Sequence, residues 1–513
     1  MPDTIDHLVR LQAARHGDEP AVVDPAIRLS YRQLDSTTTD LAASLVEAGV
    51  GKGTRVGLIM PNGVRWVQVA IALTRIGAVL VPLSTLLAPA ELVAQLRAAS
   101  VQFLVSVEEF RGHRYLDELG PVPRPELPAL RGVWPAARLD DAATERARRI
   151  VGAMPETVVP ADPLVIMFTS GSSGAPKGVM HSHGSALGAV RAGLTARCIT
   201  ADTRLYLPMP FFWVGGFGSG ILSALLAGAT LVTEEIPRPE TTLRLLESER
   251  VTLFRGWPDQ AETLARHADA VGADLSALRA GSLPALLPPE RRARPGARAT
   301  LFGMTEAFGP YCGYPADTDM PASAWGSCGK PFPGVEVRVV DPDTGAPLPA
   351  GAVGIIQIRG PHTLRGICRR SREELFTADG FYPTGDLGHL DADGFLFYRG
   401  RSDDMFKVSG ATVYPGEVER ALRTIPGVEG AYVTNVPGTA GERVGAVVVV
   451  CGAALTAEQL RGHARELLSA FKVPTVWLML ESDGDVPRGS TGKVNARRLR
   501  ELLIQARPTE TGS

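Results

Sequence analysis

Residues 167–183, MFTSGSSGAPKGVMHSH, have the composition of a loop that binds phosphate. The apolar run LVIMF leads directly into glycines, hydroxyl side chains and Lys177. Glycines let the backbone approach an anion closely, hydroxyls and exposed amides donate hydrogen bonds to phosphate oxygens, and the lysine supplies positive charge. The segment is not a Walker A loop, because Pro176 precedes the lysine and Gly178 follows it. It therefore predicts a site for nucleotide phosphates, with a flexible Ser/Gly loop as the alternative.

Two later segments carry side chains suited to the rest of a nucleotide. In residues 301–306, LFGMTE, an aromatic ring can stack on adenine, a glycine allows close backbone approach, and a carboxylate can hold magnesium on the phosphates. In residues 382–388, YPTGDLG, the carboxylate of Asp386 can accept hydrogen bonds from both ribose hydroxyls. Taken singly, MTE is also typical of a helix N-terminus and TGD of a structural turn.

Together these segments resemble the acyl-adenylate-forming superfamily, and acyl-CoA ligases in particular. That superfamily includes acyl- and aryl-CoA ligases, nonribosomal adenylation domains and firefly-type luciferases, and its most specific signature is the Thr/Ser-rich loop ending in Pro-Lys-Gly. The resemblance extends along nearly the whole chain, and residues 29–34 (LSYRQL) match an early element with Ser30 in place of threonine. It implies ATP, Mg²⁺ and coenzyme A: a carboxylic acid becomes an acyl-adenylate with release of pyrophosphate, and the thiol then displaces AMP.

The resemblance also assigns roles around the nucleotide. Phe302 stands where tyrosine is usual and covers adenine, Thr305 contacts the α-phosphate, and Glu306 binds Mg²⁺. Asp386 and Arg401 hold the ribose. The predicted catalytic residues are Thr169, Thr305, Glu306 and Lys493. The predicted nucleotide-binding residues are Thr169, Ser170, Gly171, Ser172, Ser173, Gly174, Lys177, Phe302, Gly303, Met304, Thr305, Asp386, Arg401 and Lys493.

The C-terminal segments resemble the part of the family that moves between half-reactions. Lys493, in PRGSTGKVN, matches the mobile catalytic lysine, which offsets negative charge at the α-phosphate. Asp403 stands at the expected interdomain hinge. Residues 406–419, FKVSGATVYPGEVE, resemble the lining of the pantetheine tunnel, with Lys407, Ser409 and Gly410 as its thiol-tunnel residues.

Three segments are similar to the walls of the family's acyl pocket. Trp213 replaces the histidine often found at the pocket mouth, and Val214 replaces the aspartate with which relatives pair a substrate ammonium. An unpaired ammonium in an apolar pocket is costly, so α-amino acids are not expected substrates. A buried Arg255 would indicate a second acidic or carbonyl group on the substrate; a solvated one would indicate nothing. The predicted pocket residues are Trp213, Val214, Gly215, Gly256, Gly281, Ser282 and Leu283.

The glycines at 215, 216, 218 and 220 leave two interpretations open. Missing side chains can leave volume for a bulky acid, or they can allow helices to pack closely.

Helical and strand patterns alternate along the chain, which predicts parallel sheets covered by helices. Helices are predicted over 41–50, 62–76, 90–99, 415–424 and 457–469, and strands over 53–60, 78–82, 101–107, 163–168, 229–232, 251–254, 335–340, 355–359, 431–435 and 445–450. Residues 111–149, rich in Pro, Arg and Ala, are predicted to form a surface connection. The expected fold class is α/β: a large N-terminal domain (1–402) with parallel or mixed sheets flanked by helices plus a β-barrel-like subdomain, and a small mobile α+β C-terminal domain (403–513).

Bulk composition limits the classes of binding partner to be expected. The 513 residues carry a net charge of −2, which favours neither nucleic acid nor a membrane surface. Five scattered cysteines without a CxxC pair fit a cytoplasmic protein, and the N-terminal residues do not predict a signal peptide. The expected partner is a small-molecule carboxylic acid, and the expected state a monomer or homodimer.

Several other functions stay open at this stage. The chain could load a carrier-protein phosphopantetheine, or perform adenylation alone. A luciferase-like oxygenase would share the first step. A regulatory nucleotide-binding protein would have lost catalysis, whereas a kinase or P-loop ATPase would release ADP instead of AMP.

Overall fold

The computed structural model describes residues 3–120, 124–140, 143–169, 176–402, 406–408, 411–438, 441–450, 455–468, 470–489 and 494–506. The chain forms two compact units. The first comprises Met1–Val337, Ile358–Tyr382 and Gly394–Leu396, and the second comprises Arg338–Gln357, Pro383–Asp393 and Phe397–Ser513. The domain boundary predicted between residues 402 and 403 stays a prediction.

The strands of the described residues are numbered in chain order. They are β1 Pro20–Val23, β2 Arg28–Ser30, β3 Arg55–Ile59, β4 Val79–Pro82, β5 Phe103–Ser106, β6 Gly132–Pro135, β7 Pro163–Thr169, β8 Lys177–Ser182, β9 Arg204–Tyr206, β10 Thr230–Val232, β11 Leu253–Phe254, β12 Phe302–Met304, β13 Gly309–Gly313, β14 Lys330–Pro331, β15 Glu336–Val340, β16 Gly354–Arg359, β17 Gly366–Ile367, β18 Tyr382–Leu390, β19 Leu396–Arg401, β20 Phe406–Val408, β21 Ala411–Val413, β22 Val428–Gly438, β23 Gly441–Val450 and β24 Val476–Leu480.

The α-helices of the same residues are numbered likewise. They are α1 Ile5–His16, α2 Tyr31–Glu47, α3 Val64–Arg75, α4 Pro89–Ala98, α5 Tyr115–Leu119, α6 Glu145–Ala153, α7 His183–Ala192, α8 Leu194–Arg197, α9 Ser223–Ala227, α10 Pro239–Ser248, α11 Pro258–Val271, α12 Pro415–Leu422, α13 Ala457–Leu467 and α14 Ala496–Gln505.

A seven-stranded sheet of order β17-β8-β7-β4-β3-β5-β6 forms the centre of the first unit. Its strands from β7 to β6 are parallel, while β8 pairs antiparallel with β7 and β17 antiparallel with β8. Alternate residues of β4 enter two separate apolar clusters: Leu80 joins one, and Val79 and Val81 join the other. Both faces of the sheet are therefore buried, as expected for parallel strands with helices on each side.

Two smaller sheets complete the first unit. One has the order β11-β9-β10-β1-β2, parallel except for the antiparallel edge strand β2, and the other is the antiparallel sheet β12-β13-β14. The antiparallel sheet carries the LFGMTE segment on β12 and the short turn that follows it.

The second unit combines a β-sheet region with a small C-terminal domain. The four-stranded sheet β15-β16-β18-β19 lies mostly in this unit, and the predicted β-barrel-like subdomain stays a prediction. In the C-terminal domain, β22, β23 and β24 form a sheet. Residues of this sheet belong to two apolar clusters, one shared with α12 and α13 and the other shared with α14. The expected α/β class, with mixed sheets flanked by helices and a small C-terminal domain, is confirmed.

The prediction that residues 111–149 form only a surface connection is wrong. Strand β6 pairs parallel with β5 at the edge of the large sheet, and Trp134 is buried there against Phe103, with ring centroids 4.6 Å apart. Helix α6 then begins at Glu145, and the hydroxyl of the preceding Thr144 accepts a hydrogen bond from the amide of Ala147. The sequence pattern did not predict these two elements, because Pro- and Arg-rich residues on either side interrupt the periodicity of each.

Helix α2 begins well before the predicted residue 41. Ser30 accepts a hydrogen bond from the amide of Gln33 (3.2 Å), and the Gln33 side chain accepts one from the Ser30 amide (2.9 Å). This reciprocal capping satisfies two donors that a helix start otherwise leaves unpaired, so it fixes the start at Tyr31.

The glycine-rich segment after Trp213 forms a π-helical turn over Gly215–Leu222, in which the amide of Ser223 bonds the carbonyl of Gly218. A side chain on Gly216 would overlap the carbonyl of Pro210, and one on Gly215 would lie 2.8 Å from the sulfur of Met209. Of the two interpretations that the sequence leaves open, close packing is therefore the one observed. No helix among the described residues is long and apolar enough to cross a membrane.

Candidate active site

Glu306 lies in the short helical turn after β12 and is 5% exposed. The hydroxyl of Tyr382 donates to Glu306 Oε1 at 3.2 Å, and the ammonium of Lys177 lies 3.6 Å from the same oxygen. Glu306 Oε2 makes no hydrogen bond or ion pair with a residue that the structure describes. Two segments far apart in the sequence, PKG and MTE, therefore meet at one carboxylate, and one of its oxygens stays available to a ligand.

The strand pair β7 and β8 holds the ends of the Ser/Gly loop side by side. Thr169 and Lys177 are register partners in this antiparallel pair. The loop thus starts and ends at neighbouring points, and Lys177, 26% exposed, faces Glu306. The loop residues Ser170, Gly171, Ser172, Ser173 and Gly174 lie outside the described part of the chain.

His181 anchors the MTE turn from the opposite side, and sequence reasoning missed it. Its Nε2 lies 2.7 Å from the carbonyl oxygen of Thr305, and its Nδ1 lies 3.5 Å from the hydroxyl oxygen of Ser185. Because a carbonyl only accepts, Nε2 carries the proton. Burial lowers the pKa of His181 to about 4, so the ring is neutral at physiological pH. The neutral ring with its proton on Nε2 thereby fixes the backbone of Thr305, which precedes Glu306 in the turn.

Phe302 and Gly303 lie on β12, where sequence reasoning places the adenine-covering residues. The ring of Phe302 packs edge-on against Tyr311 with centroids 5.5 Å apart. A Cβ on Gly303 would overlap the carbonyl of Gly309 on the facing strand. The close approach expected of this glycine is therefore made, and its partner is strand β13.

The second unit holds the predicted ribose pair. Arg401 Nη1 donates to Asp386 Oδ1 at 3.0 Å and to the carbonyl of Thr384 at 2.7 Å. The hydroxyl of Thr384 accepts from the amide of Asp386 at 3.0 Å. Gly385 has φ +75°, which brings Arg401 across the turn without steric conflict. The TGD segment and the arginine that follows it thus form one unit of structure, with Asp386 7% exposed.

The three predicted pocket walls lie next to one another in the first unit. Trp213 meets Trp257 edge-on with ring centroids 5.9 Å apart. The hydroxyl of Ser282 accepts from the amide of Phe254 at 3.1 Å, and the amide of Leu283 donates to the carbonyl of Phe254 at 3.2 Å. Segments 213–215, 255–258 and 281–283 are therefore neighbours, as a shared pocket requires.

The remaining predictions fall on residues whose side chains are not described. Asp403, Ser409, Gly410 and Lys493 lie outside the described residues, and Lys407 is placed only by its backbone, as the register partner of Thr412. Their assigned roles in the hinge, the thiol tunnel and catalysis stay predictions.

Comparison with known proteins agrees with this arrangement. Residues 9–368 match the model of the AMP-binding enzyme family, and residues 417–493 match that of the AMP-binding enzyme C-terminal domain. The chain belongs to the AMP-binding enzyme family.

Its relatives include CoA ligases of similar length. A Mycobacterium tuberculosis ligase named for a methyl-dioxo-octahydroindenyl propanoyl group is 31% identical over 98% of both chains, and a feruloyl-CoA synthase from Amycolatopsis is 31% identical over 94% of both. The structure of ATP-bound MatB from Rhodopseudomonas palustris superposes with a TM-score of 0.81 at 25% identity, covering 98% of this chain and 99% of that one. The predicted class, an AMP-forming acid–thiol ligase of the acyl-CoA synthetase type, is therefore confirmed, and carrier loading is not the favoured reading.

Proposed function

We propose that this protein uses ATP and Mg²⁺ to convert a small-molecule carboxylic acid into an acyl-adenylate, and that it then transfers the acyl group to coenzyme A. The observation that carries the chemistry is the convergence of Lys177 and Tyr382 on one oxygen of Glu306, with Oε2 left available. Mg²⁺ favours one or two carboxylates together with substrate phosphates, and a nearly buried carboxylate beside a phosphate-type loop offers that donor set.

Each residue of this cluster has a defined task in adenylation. The acid carboxylate attacks the α-phosphorus, its oxygen forms the new P–O bond, and pyrophosphate leaves. Lys177 supplies positive charge to the phosphates, and the Thr305 hydroxyl is proposed to contact the α-phosphate. The ion would screen the charge of the phosphate chain when bound at Glu306. The protein therefore contributes position and charge, and no side-chain nucleophile is needed.

The pocket walls support an acid with a ring or another bulky group. Trp213 and Trp257 place two large aromatic surfaces together at the predicted mouth. The names of the relatives, which include feruloyl and indoleacetate ligases, refer to ring-containing acids. Val214 supplies no charge for an ammonium, so α-amino acids are poor candidates. A cytoplasmic location is part of the proposal.

A panel of acids tests this function. Purified protein is given ATP, Mg²⁺ and phenylpropanoate, ferulate, indoleacetate or medium-chain fatty acids, with and without coenzyme A. We expect pyrophosphate and AMP, with a CoA thioester only when CoA is present. The matched control replaces phenylpropanoate with phenylalanine, which adds only the ammonium and should react much more slowly. Release of ADP, or a preference for phenylalanine, would contradict the proposal.

A further inference from the structure

Arg197 and Arg255, two arginines close to predicted pocket residues in the sequence or in space, contact each other. Arg197 ends α8, is 2% exposed, and donates from Nη1 to the carbonyl of Val190 at 3.1 Å. Its Nε and Nη2 are buried and have no hydrogen-bond partner among the residues that the structure describes. Arg255 donates from Nη2 to the carbonyl of Arg197 at 3.0 Å, and its own Nε is likewise buried without a partner. Three guanidinium nitrogens are therefore buried with unused donor capacity.

Among the described residues no carboxylate neutralises Arg197, whereas at Arg255 burial lowers the pKa and the nearby Asp317 carboxylate partly offsets the charge and works against that lowering. Within the described part of the chain, neither Arg197 nor Arg255 forms an ion pair with an acidic side chain. Burial lowers the pKa of Arg197 to about 10, and the positive charge of Arg255 adds to the effect. Arg197 therefore stays protonated near neutral pH. A buried, unpaired cation is costly, so Arg197 calls for an anion that the described residues do not supply.

A purely structural role explains only one of the guanidinium nitrogens of Arg197. Its Nη1 satisfies one carbonyl at the end of α7, where a cation also interacts favourably with the helix dipole. A side chain on Gly193 would overlap this guanidinium, so the helix junction leaves space for it. That contact uses one of five donors, and a shorter polar residue could make it. The two unused nitrogens are the ones that need a ligand.

The unused end of Arg197 lies near Val214, one of the predicted pocket residues. A methyl group built on Gly309 would lie 4.0 Å from Nη2 of Arg197 and 3.9 Å from Cγ2 of Val214. The two side chains thus flank the same point, one with a cation and the other with a methyl group. Gly309 itself has φ +113° and carries no side chain to separate them from that point.

We propose that Arg197, with Arg255 behind it, binds a second carboxylate of the substrate, so that the acid activated by this protein is a dicarboxylic acid. This inference rests on the proposed function: one carboxylate is adenylated and the other is held by Arg197. A neutral carbonyl group would satisfy N–H donors but would leave the charge of Arg197 uncompensated, which favours the anion. The planar guanidinium can take both oxygens of a carboxylate at once.

Matched substrates and variants test the proposal. Phenylpropanoates with a para carboxylate, a para acetyl or a para methyl group are compared by pyrophosphate release, together with aliphatic dicarboxylic acids and monoacids of equal chain length. For the wild-type protein we expect kcat/KM for the best dicarboxylic acid to exceed that of its methyl-ended partner by about a hundredfold or more. Arg197→Met should abolish this preference and raise activity on the methyl-ended acid. Arg191→Met, on the neighbouring helix, should leave the preference unchanged.

The outcomes separate the two proposals. If wild-type protein prefers the acetyl or methyl acids, or if Arg197→Met keeps the preference for the dicarboxylic acid, the second-carboxylate site is refuted while the ligase function stands. If no acid of any series supports pyrophosphate release, the proposed function itself fails. Should Arg197→Met not fold, the wild-type comparison still decides, and Arg197→Lys, which keeps the charge but loses the two-pronged geometry, should show a weakened preference.

Discussion

At the scale of single residues, Glu306 carries the most specific chemistry of the first unit. Its Oε1 accepts from Tyr382 and pairs with Lys177, so the carboxylate is oriented before any ligand arrives. A carboxylate held in this way presents its second oxygen to a cation at little further ordering cost.

Replacing this carboxylate by an amide tests the assignment. Glu306→Gln keeps the shape of the side chain but removes the charge, and an amide is a poor ligand for a hard cation. We expect Mg²⁺-dependent pyrophosphate release to fall about a hundredfold or more, the scale for loss of a preorganised charge. Initial rates over a range of Mg²⁺ concentrations measure this.

Two controls separate chemistry from folding. Tyr382→Phe removes one hydrogen bond to the Glu306 carboxylate and should cost about ten- to a hundredfold, since a hydrogen bond to a charged group contributes about 1.5–3 kcal/mol. Glu336→Gln alters an exposed glutamate paired with Arg359 and should leave the rate unchanged. Wild-type activity in Glu306→Gln would show that another group binds the metal.

Buried histidines predict how stability depends on pH. Burial lowers the pKa of His181 and of His183 from 6.5 to about 4 in the folded protein. Between these two values the unfolded chain binds protons that the folded chain excludes, so the free energy of unfolding falls as pH falls through that window. Each histidine accounts for a loss of roughly 3 kcal/mol once pH is below both values.

Denaturant unfolding at several pH values between about 7 and 4.5 measures this loss. In His181→Gln the loss should be smaller than in wild type, because one of the protons that the folded chain excludes is gone. His463→Gln, an exposed histidine on α13, serves as the control and should follow wild type. If acid lowers the free energy of unfolding equally in His181→Gln and in wild type, then the burial of His181 does not cause the predicted pH dependence.

Residue types, together with the family resemblance, predicted some of the residues that the structure brings together here. Lys177, Thr305 and Glu306 were identifiable because they sit in compact motifs with fixed spacing. His181 and Arg197 were not, because their roles depend on contacts across the fold: His181 meets Thr305, 124 residues later, and Arg197 meets Arg255, 58 residues later. Sequence reasoning stated what a buried Arg255 would mean, but only the structure shows the pair.

At the scale of elements, the π-helical turn at Gly215–Leu222 depends on glycine. A Cβ at Gly216 would overlap the carbonyl of Pro210 and lie 2.8 Å from the carbonyl oxygen of Met209. Neither backbone group can move aside without moving the chain that leads to Trp213. The turn therefore fixes where the predicted pocket mouth lies.

Alanine at this position should destabilise the protein. For Gly216→Ala we expect a loss of about 2 kcal/mol in the free energy of unfolding, the usual scale of overpacking. Gly462→Ala is the matched control, because that glycine lies in α13 with no atom within 4 Å of an added Cβ. It should gain about 0.5–1 kcal/mol from improved helix propensity. Equal effects of the two substitutions would contradict the packing argument.

The elements were predictable where a pattern was uninterrupted. The strand predicted over 78–82 corresponds to β4, Val79–Pro82, because a buried parallel strand is a continuous apolar run bounded by a helix and a turn. Strand β6 was missed, because only four residues, GVWP, form it between irregular segments. Its strand character comes from pairing with β5, which a local pattern does not contain.

At the scale of the whole molecule, adenylation and thioester formation require different residues beside the same adenylate. The nucleotide cluster around Lys177 and Glu306 belongs to the first unit, whereas Lys493 and the predicted tunnel residue Gly410 belong to the second, outside the described residues. We expect the C-terminal domain to present Lys493 for adenylation and Gly410 for thioester formation, with a pivot at Asp403.

Two variants separate the half-reactions. Lys493→Ala should lose adenylation by about a hundredfold or more, yet still convert supplied acyl-adenylate and CoA into thioester. Asp403→Pro should show the reverse, because proline fixes φ and stiffens the pivot. Pyrophosphate release measures the first step and thioester formation from synthetic adenylate the second. Equal impairment of both steps in both variants would argue against a domain rearrangement.

Isotope transfer tests the central claim most directly. The best acid of the panel is prepared with ¹⁸O in its carboxylate and incubated with ATP, Mg²⁺ and CoA, and the nucleotide product is analysed by mass spectrometry. Attack of the carboxylate on the α-phosphorus predicts AMP that carries one labelled oxygen, together with a CoA thioester that retains the other. Unlabelled AMP, or ADP as the nucleotide product, would contradict activation through an acyl-adenylate.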